Sequence, residues 1–170
     1  MRETKDFMRS GKTFNIILAQ HKAWIDSNGE TGERADFSNA DLSNMDLQGL
    51  YFFKVNLHAA NLRGSVLSKA NFRNADLSGA DMSETLLIKA NLTESDLSGA
   101  NLGKSRLRDA KLNRAILRGT DLSDADMTGA DLREIKNFTE SKGWESAKLK
   151  DSLLNFDARN FLAGINKTVL

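Results

Sequence analysis

The sequence predicts an all-β solenoid, a fold in which short extended segments stack in successive coils. Three regularities between residues 35 and 132 predict it: a large apolar residue at every fifth position (the central position), a small residue two positions earlier (the small position), and a polar residue between them (the polar position). A period of five matches neither a helix nor a strand. We therefore expect each unit to be a short extended side followed by a two-residue turn.

The central position is apolar in twenty consecutive units. These residues are Phe37, Leu42, Leu47, Phe52, Leu57, Leu62, Leu67, Phe72, Leu77, Met82, Leu87, Leu92, Leu97, Leu102, Leu107, Leu112, Leu117, Leu122, Met127 and Leu132. The small position is Ala in twelve units and Ser or Thr in five, and the polar position is Asp or Asn in fourteen. Coils stacked about 4.8 Å apart would pair their backbones and align the inward side chains in columns.

The repeat also matches a known pattern. Residues 75–82 read A-D-L-S-G-A-D-M, which follows A(D/N)LXX, and on this basis the chain resembles the pentapeptide-repeat family over about 100 of its 170 residues. The resemblance implies a right-handed quadrilateral β-helix with four units per coil, so that residues 33–134 would form about five coils. It also places Phe52 and Phe72 in one interior column, where we expect the rings to stack.

The N-terminal residues predict a helix that covers the first coil. Residues 1–12 are expected to be a polar, frayed leader, and residues 13–32 a capping helix and linker. The helix is amphipathic, with Thr13 as its candidate N-cap and with Phe14, Leu18 and Trp24 as candidate cap contacts. Three bulky residues interrupt the small position, and we interpret them as partners of this helix: Met45, Leu50 and Val55. A Trp-bearing helix before the first repeat is also what the family resemblance implies.

Residues 135–170 are too apolar to predict a disordered tail, and we expect a C-terminal cap or dimerisation segment there. Residues 147–149 and 152–154 are compatible with two further repeat units in a shifted phase or with the start of helical segments. The candidate contacts for capping or for a C2 homodimer are Leu154, Phe156, Phe161 and Leu162.

The composition argues against an enzyme. The chain has no Cys, which excludes disulfides and thiolate metal sites, and its two histidines, His21 and His58, have no partner at a metal-binding or nucleophile-activating spacing. Glycines recur at the turns and form no phosphate-binding loop. We therefore expect no catalytic residue, cofactor or metal site. With no long apolar run or secretory signal, the predicted location is the cytoplasm and no membrane partner is expected.

The charge pattern bears on nucleic-acid mimicry. The best-known members of the resembled family mimic duplex DNA with acidic faces and bind DNA gyrase. Residues 33–133 of this chain carry 14 acidic and 13 basic side chains, a net charge of −1, which disfavours such mimicry. Basic residues also cluster in one stretch of the repeats, which we call the basic band: Lys104, Arg106, Arg108, Lys111, Arg114 and Arg118. We interpret the band as solvated surface with ion pairs between coils, and a nucleic-acid-binding patch is the less favoured alternative.

Departures from the repeat supply the candidate binding residues. At the polar position of one predicted face, Val66, Leu86 and Arg106 replace the usual Asp or Asn, and Ile88 follows close by. These residues are compatible with a patch for a partner protein and with ordinary exposed surface. The sequence thus favours a rigid protein-binding scaffold with an unknown partner, and a gyrase-binding DNA mimic is the alternative.

Overall fold

The computed structural model describes residue 4, residues 7–9 and residues 11–165. Two short strands, β1 (Met8–Arg9) and β2 (Lys12–Thr13), form an antiparallel hairpin, and helix α1 (Phe14–Asp26) follows directly. A 3-10 helix covers Phe138–Glu140, and helix α2 covers Phe156–Gly164. Between α1 and α2 the chain forms a β-helix made of single parallel bridges rather than long strands.

The bridges follow a step of twenty residues, which corresponds to four five-residue units per turn. Asp36 pairs with Asn56, Asn56 with Asp76, and the same step continues on all four sides of the helix. Each unit hydrogen-bonds to the turns on both sides: Leu57 N–H donates to the Asp76 carbonyl at 2.7 Å, and Asp76 N–H donates to the Val55 carbonyl at 3.0 Å. The five-residue period is therefore the length of one side.

The interior is a stack of apolar layers. Every central residue is fully buried, and the Phe52 and Phe72 rings stack with centroids 4.9 Å apart and planes 4° apart, which confirms the predicted column. Where the small position holds Ser or Thr, the hydroxyl donates to a backbone carbonyl, as Ser65 does to Leu42 at 2.8 Å. These hydroxyls are thus buried with their hydrogen bonds satisfied.

Tight turns connect the sides. In every one of the twenty units the residue two positions after the central residue has a positive φ, between 52° and 70°, yet only six of these residues are glycine. Asn39 and Lys54, for example, have φ values of 56° and 58°. Because the backbone pairs with the turns above and below, the fold holds non-glycine residues in this left-handed region.

Helix α1 packs on the first repeats through aromatic side chains. Phe14 is fully buried and stacks on Phe37, with ring centroids 4.9 Å apart. The helix spans nearly the range expected from the sequence, and Thr13 precedes it as the N-cap, although its side chain makes no capping hydrogen bond. The prediction of a frayed leader is wrong for part of that segment, since the β1–β2 hairpin is formed and Phe7 packs edge-on against Phe14. Residues 1–3, 5, 6 and 10 of the predicted leader lie outside the described residues.

The β-helix pairing continues past the regular repeat with insertions. Asp121 pairs with Lys142, Asp126 with Lys148 and Asp131 with Leu153, so that the step grows from 20 to 21 and then to 22 residues. Residues 147–149 and 152–154 are therefore further sides of the β-helix, and α2 begins only after them. Of the two alternatives left open by the sequence, these residues therefore follow the first, that of further repeat units in a shifted phase. In the described part of the chain, no helix has the length and apolar character needed to cross a membrane.

Candidate protein-binding face

The Asp and Asn residues of the polar position form the turns of the β-helix. In each of the fourteen units that have one, its Oδ1 accepts a hydrogen bond from the backbone N–H two residues later, at 2.8–3.2 Å. This Asx turn satisfies a backbone donor that the sharp bend would otherwise leave unpaired. This hydrogen bond gives the recurring Asp and Asn side chains a structural role.

Six units depart from this rule, and no such bond forms in them among the described residues. Their polar positions hold Tyr51, Val66, Leu86, Arg106, Lys111 and Ile116. Three of these residues, Val66, Leu86 and Arg106, occupy consecutive rungs of a single bridge ladder, which runs from Asp46 to Lys148. Half of the departures therefore lie on one face of the β-helix, on adjacent rungs.

The three rungs bring the predicted binding residues together. Leu67 N–H donates to the Leu86 carbonyl at 2.8 Å, and Leu87 N–H donates to the Arg106 carbonyl at 2.8 Å, so these turns are direct neighbours. Val66, Leu86 and Ile88 are each half-buried, whereas Arg106 is exposed. The structure thus places all four predicted residues on one continuous surface.

Basic side chains surround the apolar ones. On the preceding turn, Lys69 N–H donates to the Ile88 carbonyl at 3.0 Å. On the following turn, the Arg108 carbonyl accepts from Lys89 N–H at 2.9 Å. We name this surface the apolar–basic patch; its members are Val66, Leu86, Ile88, Lys69, Lys89, Arg106 and Arg108. Asp126 lies one rung beyond Arg106, and Asp109 lies directly after Arg108 on the same turn; both border the patch on the side nearer the C terminus.

Several arginines elsewhere on the repeats have carboxylate partners. Along the neighbouring corner, Glu94 accepts from Arg73 at 3.3 Å and lies 3.6 Å from Arg114, which in turn contacts Glu134 at 2.8 Å. This ladder of alternating charges includes part of the basic band noted in the sequence. It supports the interpretation of Arg114 and Arg118 as members of inter-turn ion pairs, since Arg118 also contacts Glu140 at 3.3 Å.

The electrostatic influence of the patch extends to Asp126. Burial alone would raise the pKa of this carboxyl group, but hydrogen bonds from Thr128 and the nearby charges of Arg108 and Lys148 outweigh that effect and lower the pKa below its ordinary value. Asp126 therefore stays ionised. Even so, Arg108 makes no direct ion pair with it.

Sequence reasoning missed the two lysines of the patch. Lys69 and Lys89 occupy turn positions, and nothing within their own repeat units distinguishes them from other charged turn residues. Reading the sequence in columns of twenty would have placed both lysines beside Leu86 and Ile88. The same reading would have noted Ile116, a half-buried residue at the polar position of a different face.

The predicted N-terminal contacts lie around α1. Phe14 is buried, Leu18 and Trp24 are half-buried, and the Trp24 ring stacks on His21 with centroids 5.8 Å apart. Of the bulky residues at the small position, Met45 and Val55 are buried and Leu50 is half-buried. A groove of about 430 Å³ remains between α1 and the repeats, and its lining consists of Leu18, Ala19, Lys22, Asp26, Leu50 and Tyr51.

The predicted C-terminal contacts divide into two groups. Leu154 and Leu162 are buried, and Phe161 packs edge-on against Phe138 with ring centroids 5.4 Å apart. Phe156 is 76% exposed, although it stands at the start of α2. Phe156 is therefore the only one of these four side chains that is free to contact another molecule through most of its surface.

The histidines take structural positions. His58 is exposed, and its Nδ1 lies 2.8 Å from the Ser78 hydroxyl on the next turn. His21 is buried and is hydrogen bonded to the backbone at both ring nitrogens. Among the described residues, no three His, Cys, Asp or Glu side chains converge where a metal ion could bind.

Comparison with known families is consistent with this architecture. The family model described as pentapeptide repeats matches residues 33–68, 65–103 and 100–136, with eight copies of the repeat. The chain belongs to the pentapeptide-repeat family. Membership implies the right-handed sense of the β-helix. A search of curated proteins returns no significant match.

Solved pentapeptide-repeat structures are also similar to this chain. Rfr23 from the cyanobacterium Cyanothece 51142 has 32% identity and a TM-score of 0.41, with 61% of this chain and 62% of Rfr23 covered. The chain thus spans less than two thirds of Rfr23. HetL, which is involved in heterocyst differentiation regulation in Nostoc sp. strain PCC 7120, has 25% identity and a TM-score of 0.39, covering 72% and 67%. QnrB1, a plasmid-mediated fluoroquinolone resistance protein, has 21% identity and a TM-score of 0.32, covering 78% and 85%.

Proposed function

We propose that this pentapeptide-repeat protein is a non-catalytic, rigid scaffold that binds a partner protein through the apolar–basic patch. One observation carries the proposal: Val66, Leu86 and Arg106 replace the turn-forming Asp or Asn on three consecutive rungs of one face. A neutral hydrogen bond contributes about 0.5–1.5 kcal/mol to stability, so the face gives up three such contributions. Residues that break a local structural rule without increasing the stability of the fold are expected at functional sites.

The β-helix suits a scaffold role because the patch is built on paired backbone. Every rung under the patch hydrogen-bonds to the turn on each side, at 2.8–3.0 Å around Leu86 and Arg106. Sites on such rigid elements hold their side chains more accurately than sites on loops. The partner would therefore meet a preformed surface.

A consensus-restoring variant tests this proposal. Leu86→Asn introduces the residue type that forms the Asx turn in other units while removing an apolar side chain from the patch. Tagged wild-type and Leu86→Asn proteins are cross-linked in cells, and the cross-linked partners are quantified by mass spectrometry. We expect Leu86→Asn to lose the specific partner.

The matched control is Ile116→Asn, which makes the same kind of change on a different face of the β-helix. This variant should retain the partner. If Leu86→Asn and wild type cross-link to the same proteins in equal amounts, the patch is not the binding face and the proposal is wrong.

We also propose that helices α1 and α2 cap the two ends of the β-helix. Exposed terminal turns would offer unpaired strand edges and apolar columns for aggregation. Buried Phe14 at one end, and buried Ala158 and Leu162 at the other, support the capping roles. In this proposal residues 33–134 form about five coils, and the paired segments up to residue 154 add about one more.

A duplex-mimicking inhibitor of DNA gyrase remains the disfavoured alternative. The four ladders of the polar position each include neutral or basic residues, such as Asn61 and Asn101 on one face and Lys111 on another. A continuous acidic face would be required to imitate the phosphate backbone of DNA. The cytoplasmic location stays a prediction.

A further inference from the structure

We propose that the apolar–basic patch recognises an acidic peptide segment of its partner, in which carboxylates bind Arg106 and Arg108 and an apolar side chain packs on Leu86 and Ile88. The inference rests on the proposed function and adds the chemistry of the ligand. Its support comes from three features of the patch: the unpaired state of its arginines, their position beside the apolar side chains, and the acidic border beyond them.

The arginines of the patch differ from the other arginines of the repeats. Each arginine elsewhere between residues 33 and 134 has a partner: Arg63, Arg73, Arg114, Arg118 and Arg133 contact carboxylates, and Arg34 donates to the Lys54 carbonyl at 2.7 Å. Within the described residues, the side chains of Arg106 and Arg108 make no ion pair or hydrogen bond. A guanidinium group matches a carboxylate with two parallel hydrogen bonds, so these two groups remain available for such a ligand.

Both arginines stand beside the apolar side chains. The carbonyl of Arg106 accepts a hydrogen bond from Leu87 N–H, and the carbonyl of Arg108 accepts one from Lys89 N–H. Arg106 therefore lies one turn from Leu86, and Arg108 lies one turn from Ile88. Adjacent turns are about 4.8 Å apart, whereas an extended peptide rises about 3.3 Å per residue. A segment of a few residues therefore spans the apolar side chains and both guanidinium groups.

The apolar centre favours a peptide over a nucleic acid. Binding of single-stranded nucleic acid combines basic groups with aromatic side chains on which the bases stack. The patch has Val66, Leu86 and Ile88 at its centre and no aromatic member. An acidic peptide with apolar side chains satisfies the cations and covers the apolar surface at the same time.

The border of the patch limits the length of the ligand. Asp126 occupies the rung directly beyond Arg106, and Asp109 follows Arg108 at the corner of the same turn, one turn beyond Lys89. An acidic ligand would be repelled there, so it is confined to the region between Lys69 and Arg108. Attraction by the arginines and repulsion by this border together contribute to the orientation and specificity of binding as well as to the association rate.

Fluorescence anisotropy with synthetic peptides of about ten residues tests the inference, since this length exceeds the span of the patch. The full chain is titrated into three labelled probes: an alternating Glu–Leu peptide, a Glu–Ser peptide and a Lys–Leu peptide. We expect the Glu–Leu peptide to bind tightest, the Glu–Ser peptide to bind about tenfold more weakly, and the Lys–Leu peptide to show no binding.

Variants then locate the binding site. The double variant Arg106→Gln/Arg108→Gln and the single variant Leu86→Asn should each weaken binding of the Glu–Leu peptide by about tenfold or more, because a hydrogen bond to a charged group or a buried leucine is lost. Arg114→Gln and Ile116→Asn are the matched controls and should bind as wild type does. Circular dichroism confirms that all four variants are folded.

Several results would overturn the inference. Equal affinity of wild type and the double variant would exclude the arginines. Tighter binding of a single-stranded oligonucleotide or of anionic phosphatidylserine vesicles, lost in the double variant, would assign the patch to phosphates. A wild-type dimer that the double variant abolishes would assign it to a second copy of the chain.

The peptide assay and the cross-linking experiment separate this inference from the proposed function. If Leu86→Asn loses its partner in cells but no acidic peptide binds the patch, the scaffold function stands and the ligand chemistry proposed here is wrong. If the Glu–Leu peptide binds at the arginines but no cellular partner depends on Leu86, the scaffold function is wrong.

Discussion

The Nδ1 atom of His21 accepts a hydrogen bond from the backbone N–H of Ala35 at 3.1 Å, which ties helix α1 to the start of the repeats. Because Nδ1 is an acceptor, the proton of the neutral imidazole is on Nε2, which lies 2.7 Å from the Phe53 carbonyl and donates to it. His21 therefore bridges two backbone groups at the beginning and the end of the first turn of the β-helix. Protonation of Nδ1 would replace the acceptor with a second donor and break the bond to Ala35.

We expect the stability of the protein to fall as the solution becomes mildly acidic. Burial lowers the pKa of His21, the hydrogen bond to Phe53 opposes that shift, and the charge of Arg34 reinforces it, leaving the pKa below the ordinary value of 6.5. The unfolded chain then binds more protons than the folded one, so the free energy of unfolding rises with pH in this range. The contribution of His21 is complete above about pH 6.5 and is lost as the pH falls towards the folded pKa. Urea unfolding between about pH 7.5 and pH 5 measures it.

Two variants isolate this effect. His58→Gln should retain the acid sensitivity because His58 is on the surface, whereas His21→Gln should be less stable at neutral pH and should lose the sensitivity between pH 5 and pH 7 that belongs to the imidazole. An unchanged pH profile in His21→Gln would show that the imidazole does not titrate in this range.

Because the interior columns are closely packed, a substitution that leaves a cavity in them should lower the free energy of unfolding substantially. Leu92 is fully buried in the middle of the β-helix, so Leu92→Ala should lower the free energy of unfolding by about 2–5 kcal/mol. Leu92→Asp places a carboxylate between apolar layers and should prevent the middle turns from stacking. Chemical denaturation of the first variant and circular dichroism of the second check these expectations, and a soluble, folded Leu92→Asp protein would contradict them.

The Asx turns predict that Leu86→Asn and Ile116→Asn are well tolerated. The new amide can accept from the backbone two residues later, which adds about 0.5–1.5 kcal/mol, while the loss of a half-buried apolar side chain offsets part of the gain. We expect free energies of unfolding equal to wild type or higher by up to about 1 kcal/mol. A loss of more than about 1 kcal/mol in Leu86→Asn would mean that Leu86 is retained for folding rather than for binding.

A gyrase supercoiling assay tests the alternative function. With neutral and basic residues interrupting each polar-position ladder, we expect no inhibition of supercoiling and no protection against a quinolone at stoichiometric excess of the protein. A clear effect at equimolar protein would revive the DNA-mimic interpretation in spite of the mixed charges.

The exposed side chain of Phe156 predicts weak self-association through the C-terminal end. Phe156 is 76% exposed and Leu153, on the last bridged rung, is 48% exposed. If these residues meet their copies in a C2 dimer, Phe156→Ser should raise the dimer dissociation constant by about tenfold or more. Sedimentation equilibrium of wild type and variant measures the change, and a monomeric wild type would contradict the expectation.

Much of the fold could be predicted because each repeat unit encodes its own geometry. The five-residue period of residues such as Leu87 and Leu92 predicted the stacked turns, and the Phe52–Phe72 contact confirms the column that follows from four units per turn. The leader and the C-terminal segment have no period. There, the contact of Phe7 with Phe14 and the bridge from Asp131 to Leu153 depend on residues that are distant in sequence.

The candidate site was only partly predictable for the same reason. Val66, Leu86 and Arg106 were found because they replace the Asp or Asn of the polar position, and Ile88 was found because it is an apolar residue close to them in the sequence. Lys69 and Lys89 break no rule, since turn positions accept many residue types, and their proximity to the apolar side chains arises from pairing between turns.

By itself the sequence determined the repeat, the residues that face inward and the turns that Asp and Asn form, because these depend on neighbours within one or two units. Only the tertiary structure decided where the pairing ends, which side chain holds α1 in place and which cations remain unpaired. Those features depend on contacts between residues that are about one turn or more apart in the sequence. Arg114, for example, forms an ion pair with Glu134 on the next turn, whereas Arg106 forms none among the described residues. Stacking therefore converts a uniform repeat into four different faces, and the apolar–basic patch belongs to one of them.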